Sequence, residues 1–213
     1  MNRQILVRPV LTLFCSCLLF GIYANLNRDR LALAQDTAKI TSLSYNLSPQ
    51  ETKDLEAGKV ILKGEKGRYI CLAIASGNLD TAWEVLTDYD NFDRFLPNIS
   101  SSKILESNGD RILFEQTNLV DLWLFQEEFT VQIAAVKTKP SKVDFKLFDG
   151  ELKKLVGRWV IDEIAPGKIL VSHTVEVEPG SDTEKPFFYG IYESSLEETL
   201  KAIAVEITKR SQS

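Results

Sequence analysis

Three aspartates, Asp88, Asp90 and Asp93, stand among Trp83, Tyr89, Phe92 and Phe95 in the stretch TAWEVLTDYDNFDRFLPNIS, residues 81–100. Carboxylates beside aromatic rings can exchange protons with a ligand held against an apolar wall, so the stretch has the composition of an active site. The chain has one histidine, His173, in phase with Val171, Val175 and Val177. A strand here places the imidazole on the core-facing side. There it could donate to a ligand carbonyl or move a proton. The plainer account is a core histidine satisfied by a backbone group or water. Glu127 is the second candidate acid or base, because it shares the parity of Phe125, Phe129 and Val131. Burial would raise its pKa toward that of a general acid. A place near a strand end, open to water, is the plainer account.

Other chemistries lack material. One histidine cannot build a His-based metal site, and no phosphate-loop, dinucleotide, zinc-protease or nucleophile-elbow motif occurs. No metal and no cofactor is expected. Trp123, Phe125, Phe145, Trp159 and Phe187, together with His173, are the candidate ligand-binding residues, since aromatic walls suit ring-shaped or polyene ligands. Each also fits simple core packing. Phe187-Phe188-Tyr189 precedes the last apolar segment, where exposed rings could touch a membrane transiently.

The start of the chain reads as an export signal. Arg3 and Arg8 precede an apolar run, Val10 to Leu26, and Ala32-Leu33-Ala34 is a cleavage signature. A signal peptide over residues 1–34 is expected, with a periplasmic, lumenal or extracellular destination. The alternative, an uncleaved anchor, is weakened by the short run and by Thr12, Ser16 and Tyr23 within it. Four of the 25 basic and one of the 30 acidic residues fall in that segment, so the remainder carries a formal charge of −8. Such an acidic product is a poor partner for nucleic acid. Beyond residue 34 the one cysteine is Cys71, read as a small buried residue.

The elements that must position these groups are legible in outline. Residues 35–47 are polar and aperiodic, a linker, and residues 48–213 are expected to form one domain. Ser48-Pro49-Gln50-Glu51 has the capping-box pattern, which predicts a short helix from Pro49 to Ala57. Lys59 to Leu62 and Arg68 to Ala75 read as extended. Asn78 or Asp80 can cap a helix through Tyr89, and a second short helix runs toward Pro97. Alternation then predicts strands over Ser102 to Glu106, Arg111 to Leu119, Phe125 to Val136, Val143 to Leu147, Leu155 to Ile164 and Ile169 to Glu178. Tyr192, Leu196, Leu200, Ile203 and Ile207 have helical spacing. An antiparallel meander needs a cover for its apolar face, and this last helix is long enough to supply it.

With its particular words, this order resembles the START-like superfamily, in its polyketide cyclase/dehydrase and coenzyme-Q-binding group. The words are Ala82-Trp83-Glu84-Val85-Leu86-Thr87-Asp88-Tyr89 with Phe95-Leu96-Pro97-Asn98, then Gly157-Arg158-Trp159, then Pro186 with Leu196, Leu200 and Ala202-Ile203. The resemblance implies an α+β helix-grip fold. About seven curved antiparallel strands would wrap a long C-terminal helix, with two short helices after the first strand. It also implies a cavity for a lipid, isoprenoid quinone or polyketide-like molecule. Three functions stay open: a non-enzymatic binder or carrier, a cyclase or dehydratase using His173 and Glu127, and a protein-interaction module. On this reading Asp88, Asp90 and Asp93 cap helix ends and turns, and the aspartate stretch is the rim of the pocket.

Overall fold

The structure, a computed structural model, describes residues 45–122, 125–181 and 185–213. The expected signal peptide and nearly all of the linker lie outside them. No helix among the described residues is long and apolar enough to cross a membrane.

Helix α1, Pro49–Glu56, begins as its sequence demands. The Ser48 hydroxyl accepts from the Glu51 amide at 3.2 Å, and the Glu51 carboxylate accepts from the Ser48 amide at 2.6 Å. Strand β1, Ile61–Glu65, pairs with β2, Arg68–Ser76, through the two-residue turn Lys66-Gly67. Both turn residues have positive φ, 53° and 88°, the geometry that suits a tight hairpin. Helix α2, Leu79–Leu86, follows, capped by the Asn78 side chain rather than by Asp80. A single 3-10 helix, Tyr89–Arg94, completes the helical pair. Six strands come next: β3 Ile99–Asn108, β4 Arg111–Leu122, β5 Phe125–Thr138, β6 Lys142–Gly150, β7 Lys154–Ala165 and β8 Lys168–Glu178. Helix α3, Lys185–Arg210, closes the chain.

The strands form one antiparallel sheet in the order β1-β2-β8-β7-β6-β5-β4-β3. It is a helix-grip fold with eight strands rather than seven. The extra one is β1, which the tight turn folds onto β2, so the helical pair follows the second strand, not the first. The edge strands are thus β1 and β3, and β8, the last strand, lies inside the sheet between β2 and β7.

Register decides what faces inward. Cys71, His173, Trp159 and Val143 stand opposite one another across β2, β8, β7 and β6. The next inward row is Tyr69, Val175, Gly157, Phe145, Ala135 and Ile112. Helix α3 covers this concave face with Leu196, Leu200, Ile203 and Ile207, all buried. It is also pinned by polar contacts: the Tyr69 hydroxyl donates to Glu193 at 2.8 Å, and the Ser76 amide to the Thr208 hydroxyl at 3.1 Å. On the opposite face Leu55 of α1 is fully buried, and so are Leu72 and Leu170. Their burial also encloses Ser172, a residue that alternation alone assigns to the wet side.

Candidate functional site

Between the concave sheet, the helical pair and α3 lies a cavity of about 170 Å³. Its wall draws on the helical pair (Leu86, Tyr89, Phe92, Leu96), the strands (Phe114, Phe129, Phe145, Trp159, His173 among others) and α3 (Phe188, Tyr192, Ser195, Leu196, Thr199, Ile203). Among the described lining residues none carries a formal charge. An enclosed cavity of about 150 Å³ lined by aliphatic and aromatic groups is large enough for benzene. This one is of similar volume and holds about one ring.

His173 sits at the centre of the sheet wall. Its imidazole is stacked on Trp159, ring centroids 3.8 Å apart at 25°, and lies nearly parallel to Phe145 at 5.5 Å. It is 4% exposed. Burial in this aromatic sandwich pulls its pKa down to about 3, against a backbone hydrogen bond at Arg158 that acts the other way. The ring is thus neutral at physiological pH. Its Nδ1 has no hydrogen-bond partner among the described residues. Since a backbone bond that favours the protonated ring must accept from an N–H, that N–H belongs to Nε2, and Nδ1 is the unprotonated, buried nitrogen.

Tyr89 is a second such group. Its ring packs on Phe114 at 4.5 Å and edge-on to Phe92 at 5.4 Å. The hydroxyl is buried without a partner, and burial raises its pKa, so it remains a neutral donor. The other polar pair at the wall is self-contained, with Gln116 Nε2 donating to Asn118 Oδ1 at 2.8 Å. Cys71 lies beside the cavity's floor as an inert thiol, its pKa pushed up to about 12 by burial.

The structure sorts the residues singled out in the sequence. Phe145, Trp159 and His173 share the wall. Phe187 does not: it is 74% exposed, and its neighbour Phe188 takes the inward place. Successive helical residues point about 100° apart, and Phe188 shares the face of Tyr192, Ser195 and Thr199. Trp123 lies outside the described residues, as do the side chains of Phe125 and Glu127. The backbone of Glu127 pairs with Val120 near the β4–β5 tip, whereas the row through His173, Trp159 and Val143 crosses β5 at Lys137. Ten residues along one strand span roughly 33 Å.

The aspartates belong to the scaffold, but not as caps. Asp88 begins the 3-10 helix with no side-chain bond to its amides. It accepts instead from the Asn91 side chain at 2.6 Å and pairs with Arg210 Nη1 at 2.9 Å. Asp90 accepts the Ile104 amide of β3 at 2.7 Å, and Asp93 is exposed. Arg210 also binds Glu206 at 2.8 Å and lies over the Phe95 ring at 5.3 Å. The end of α3 is thereby tied to the helical pair that roofs the cavity. Tyr89 was hidden in the sequence as one more apolar position of a helix. A hydroxyl on a face that must be buried was the signal that could have found it.

The family model described as polyketide cyclase / dehydrase and lipid transport matches residues 77–203. The chain belongs to that family. The matched span runs from the loop before α2 to the buried face of α3, so it contains every described wall residue of the cavity. A Streptomyces halstedii protein assigned as a polyketide cyclase is 24% identical over 101 residues, 46% of this chain and 89% of its own. Among solved structures, the Zhui aromatase/cyclase from Streptomyces sp. R1128 superposes with a TM-score of 0.58 at 14% identity, over 67% of this chain and 94% of that one. A STAR-related lipid transfer protein fragment from Xanthomonas axonopodis gives 0.55 at 13% identity, over 70% and 92%. At such identities the structural likeness is one of fold, and members of the family built on it include both cyclases and lipid carriers by name.

Proposed function

We propose that this domain binds and carries a hydrophobic small molecule of lipid, isoprenoid-quinone or polyketide-like character, without converting it. The observation that carries the reading is the aromatic-rich cavity beneath α3, whose described lining residues carry no formal charge. Apolar surface transferred into it leaves water with a gain of ~25 cal/mol per Å². Mass spectrometry of organic extracts from the purified protein tests it. A hydrophobic compound recovered in stoichiometric amount is expected. Repeated absence of one, with no uptake from a lipid and quinone panel, overturns the reading.

Two further parts belong to the proposal. The chain is exported, with residues 1–34 removed, and N-terminal sequencing after expression of the full-length gene should begin at Gln35. Loading takes place by transient membrane contact at Phe187, the exposed ring adjoining Phe188. Phe187→Ser should slow transfer from neutral vesicles and leave equilibrium affinity unchanged.

The unpartnered Nδ1 of His173 supports a second reading, a cyclase or dehydratase in which it takes a proton from the ligand. The strand register gives no support to Glu127 as its partner. A supplied ligand recovered one water lighter would favour this second reading.

A further inference from the structure

The face of the sheet that turns away from α3 is dressed differently on its two halves. Helix α1 packs on β1 and β2, where Leu55, Leu72 and Leu170 are buried. Across β3, β4, β5 and β6, adjacent in the sheet, the same face carries exposed apolar side chains instead. Ile112, Phe114, Ile133 and Ala135 are buried, so alternation turns the cross-strand pair Leu113 and Ala134 outward. Glu106 pairs with Leu113 and Lys146 with Ala134, so one outer row reads acid, apolar, apolar, base from β3 to β6. The next outer row, Lys103, Glu115, Gln132 and Asp149, has its end charges the other way round, base on β3 and acid on β6. Between the two rows the register shifts once on each end strand, and the extra residue is Leu105 in β3 and Phe148 in β6. Both are exposed, Leu105 by 38% and Phe148 by 63%. Glu106, Lys146 and Asp149 have no ion-pair partner among the described residues, while Lys103 meets Glu115 at 2.8 Å.

This pattern is complementary to itself. A half-turn about an axis parallel to the strands, lying over the boundary of β4 and β5, carries β3 of one copy onto β6 of another. It sets Glu106 over Lys146, Lys103 over Asp149, Leu105 over Phe148 and Leu113 over Ala134, and the symmetry repeats each contact. Face-to-face sheets accept this arrangement, since they stack about 10 Å apart with their strands within about 30°. We propose that the outer face of β3 to β6 is an interface between two copies of this chain. Leu105 and Phe148 supply its apolar contact, and the opposed charges of β3 and β6 fix its register. The strip between β3 and β6 is only three strand spacings wide, roughly 14 Å, so the dimer is a weak one that forms and parts with concentration. The interface lies on the opposite side of the sheet from the cavity and does not depend on what the cavity binds.

Sedimentation equilibrium of the protein purified after expression of the full-length gene, from micromolar to millimolar concentration, tests this. A monomer–dimer equilibrium is expected. Lys146→Glu and Glu106→Lys each place like charges face to face at both copies of the contact, and each should weaken the dimer roughly tenfold. The double exchange, Glu106→Lys with Lys146→Glu, should restore it to within about twofold of wild type. Within one copy these two residues stand roughly 14 Å apart, beyond the Debye length of about 8 Å at physiological salt, so the rescue must come from across the interface. Phe148→Lys should leave a monomer. Thermal melts of each variant report the fold, and the charge exchange alone decides if Phe148→Lys does not fold. A wild-type protein that stays monomeric throughout the range overturns the inference and leaves this face to a different partner. A dimer unmoved by both single reversals overturns it as well, and so does a double variant weaker than either single one.

Discussion

Acid should weaken this fold through one residue, and the effect can be isolated. A histidine free in solution titrates near 6.5, whereas His173 in the folded chain is held down to about 3 by burial. Between these values the unfolded chain binds a proton that the folded chain refuses. Stability from this source is therefore complete above pH 6.5 and is lost as the pH falls toward 3. Each pH unit in that window is worth about 1.4 kcal/mol, so a drop from pH 7 to pH 4 removes about 3 kcal/mol. For a domain of this size that corresponds to a fall in Tm of about 6–12 °C. His173→Phe keeps a flat ring between Trp159 and Phe145 and deletes the titration. The carboxylates held below their ordinary pKa, among them Glu51, Asp144 and Glu206, also lose stabilisation in acid, but equally in both proteins. Urea unfolding of wild type and variant at intervals from pH 7 to pH 4 should give two curves that converge or cross on the acid side. Parallel curves across the window would refute the reasoning, because a proton would then enter the folded and unfolded states alike.

Three further outcomes follow from packing and pairing. Gly157→Ala places a methyl group against the Thr174 carbonyl and the Phe145 ring, so it should cost about 1–3 kcal/mol and push that ring into the cavity; p-xylene titration beside thermal melts reads both. Arg210→Ala unties Asp88, Glu206 and the Phe95 face, and should lower stability by about 1 kcal/mol while speeding ligand exit in stopped-flow displacement. Ser48→Ala removes one half of the capping box and should cost about 1 kcal/mol in urea unfolding, with α1 protons exchanging faster.

Elements whose signal is local were the most legible. The cap at Ser48, the four- and three-residue spacing of α3, and the alternation along β5 and β8 each depend on a few neighbours, and each element appears where those neighbours place it. Strand β1 lies two to three residues later than its expected span and ends at Glu65 because the turn needs only Lys66 and Gly67, while the later strands run past their expected ends. The β3–β4 loop is Gly109-Asp110, and Asn108 pairs with Arg111. What escaped depends on contacts distant in sequence. Ser172 has the parity of a wet residue, and the layer outside β2 and β8 overrides it. The inward choice of Phe188 over Phe187 depends on the rotation of a helix about its axis, which a run of three aromatic residues does not specify. That His173 keeps an unpartnered nitrogen depends on which backbone carbonyl lies beside it, and no spacing rule encodes that.

The Asp90 carboxylate has one more effect. Strand β3 is an edge of the sheet, and the amide of Ile104 is held by Asp90 rather than left open along that edge. Unpaired amides on an edge are templates for a strand from another molecule. The irregular register on either side, between Ile99 and Ser101 and between Ile104 and Glu106, also breaks the straight run such a strand would need. An aspartate in an acid-and-aromatic cluster that looked like catalytic equipment therefore closes one amide of an edge strand to such a template.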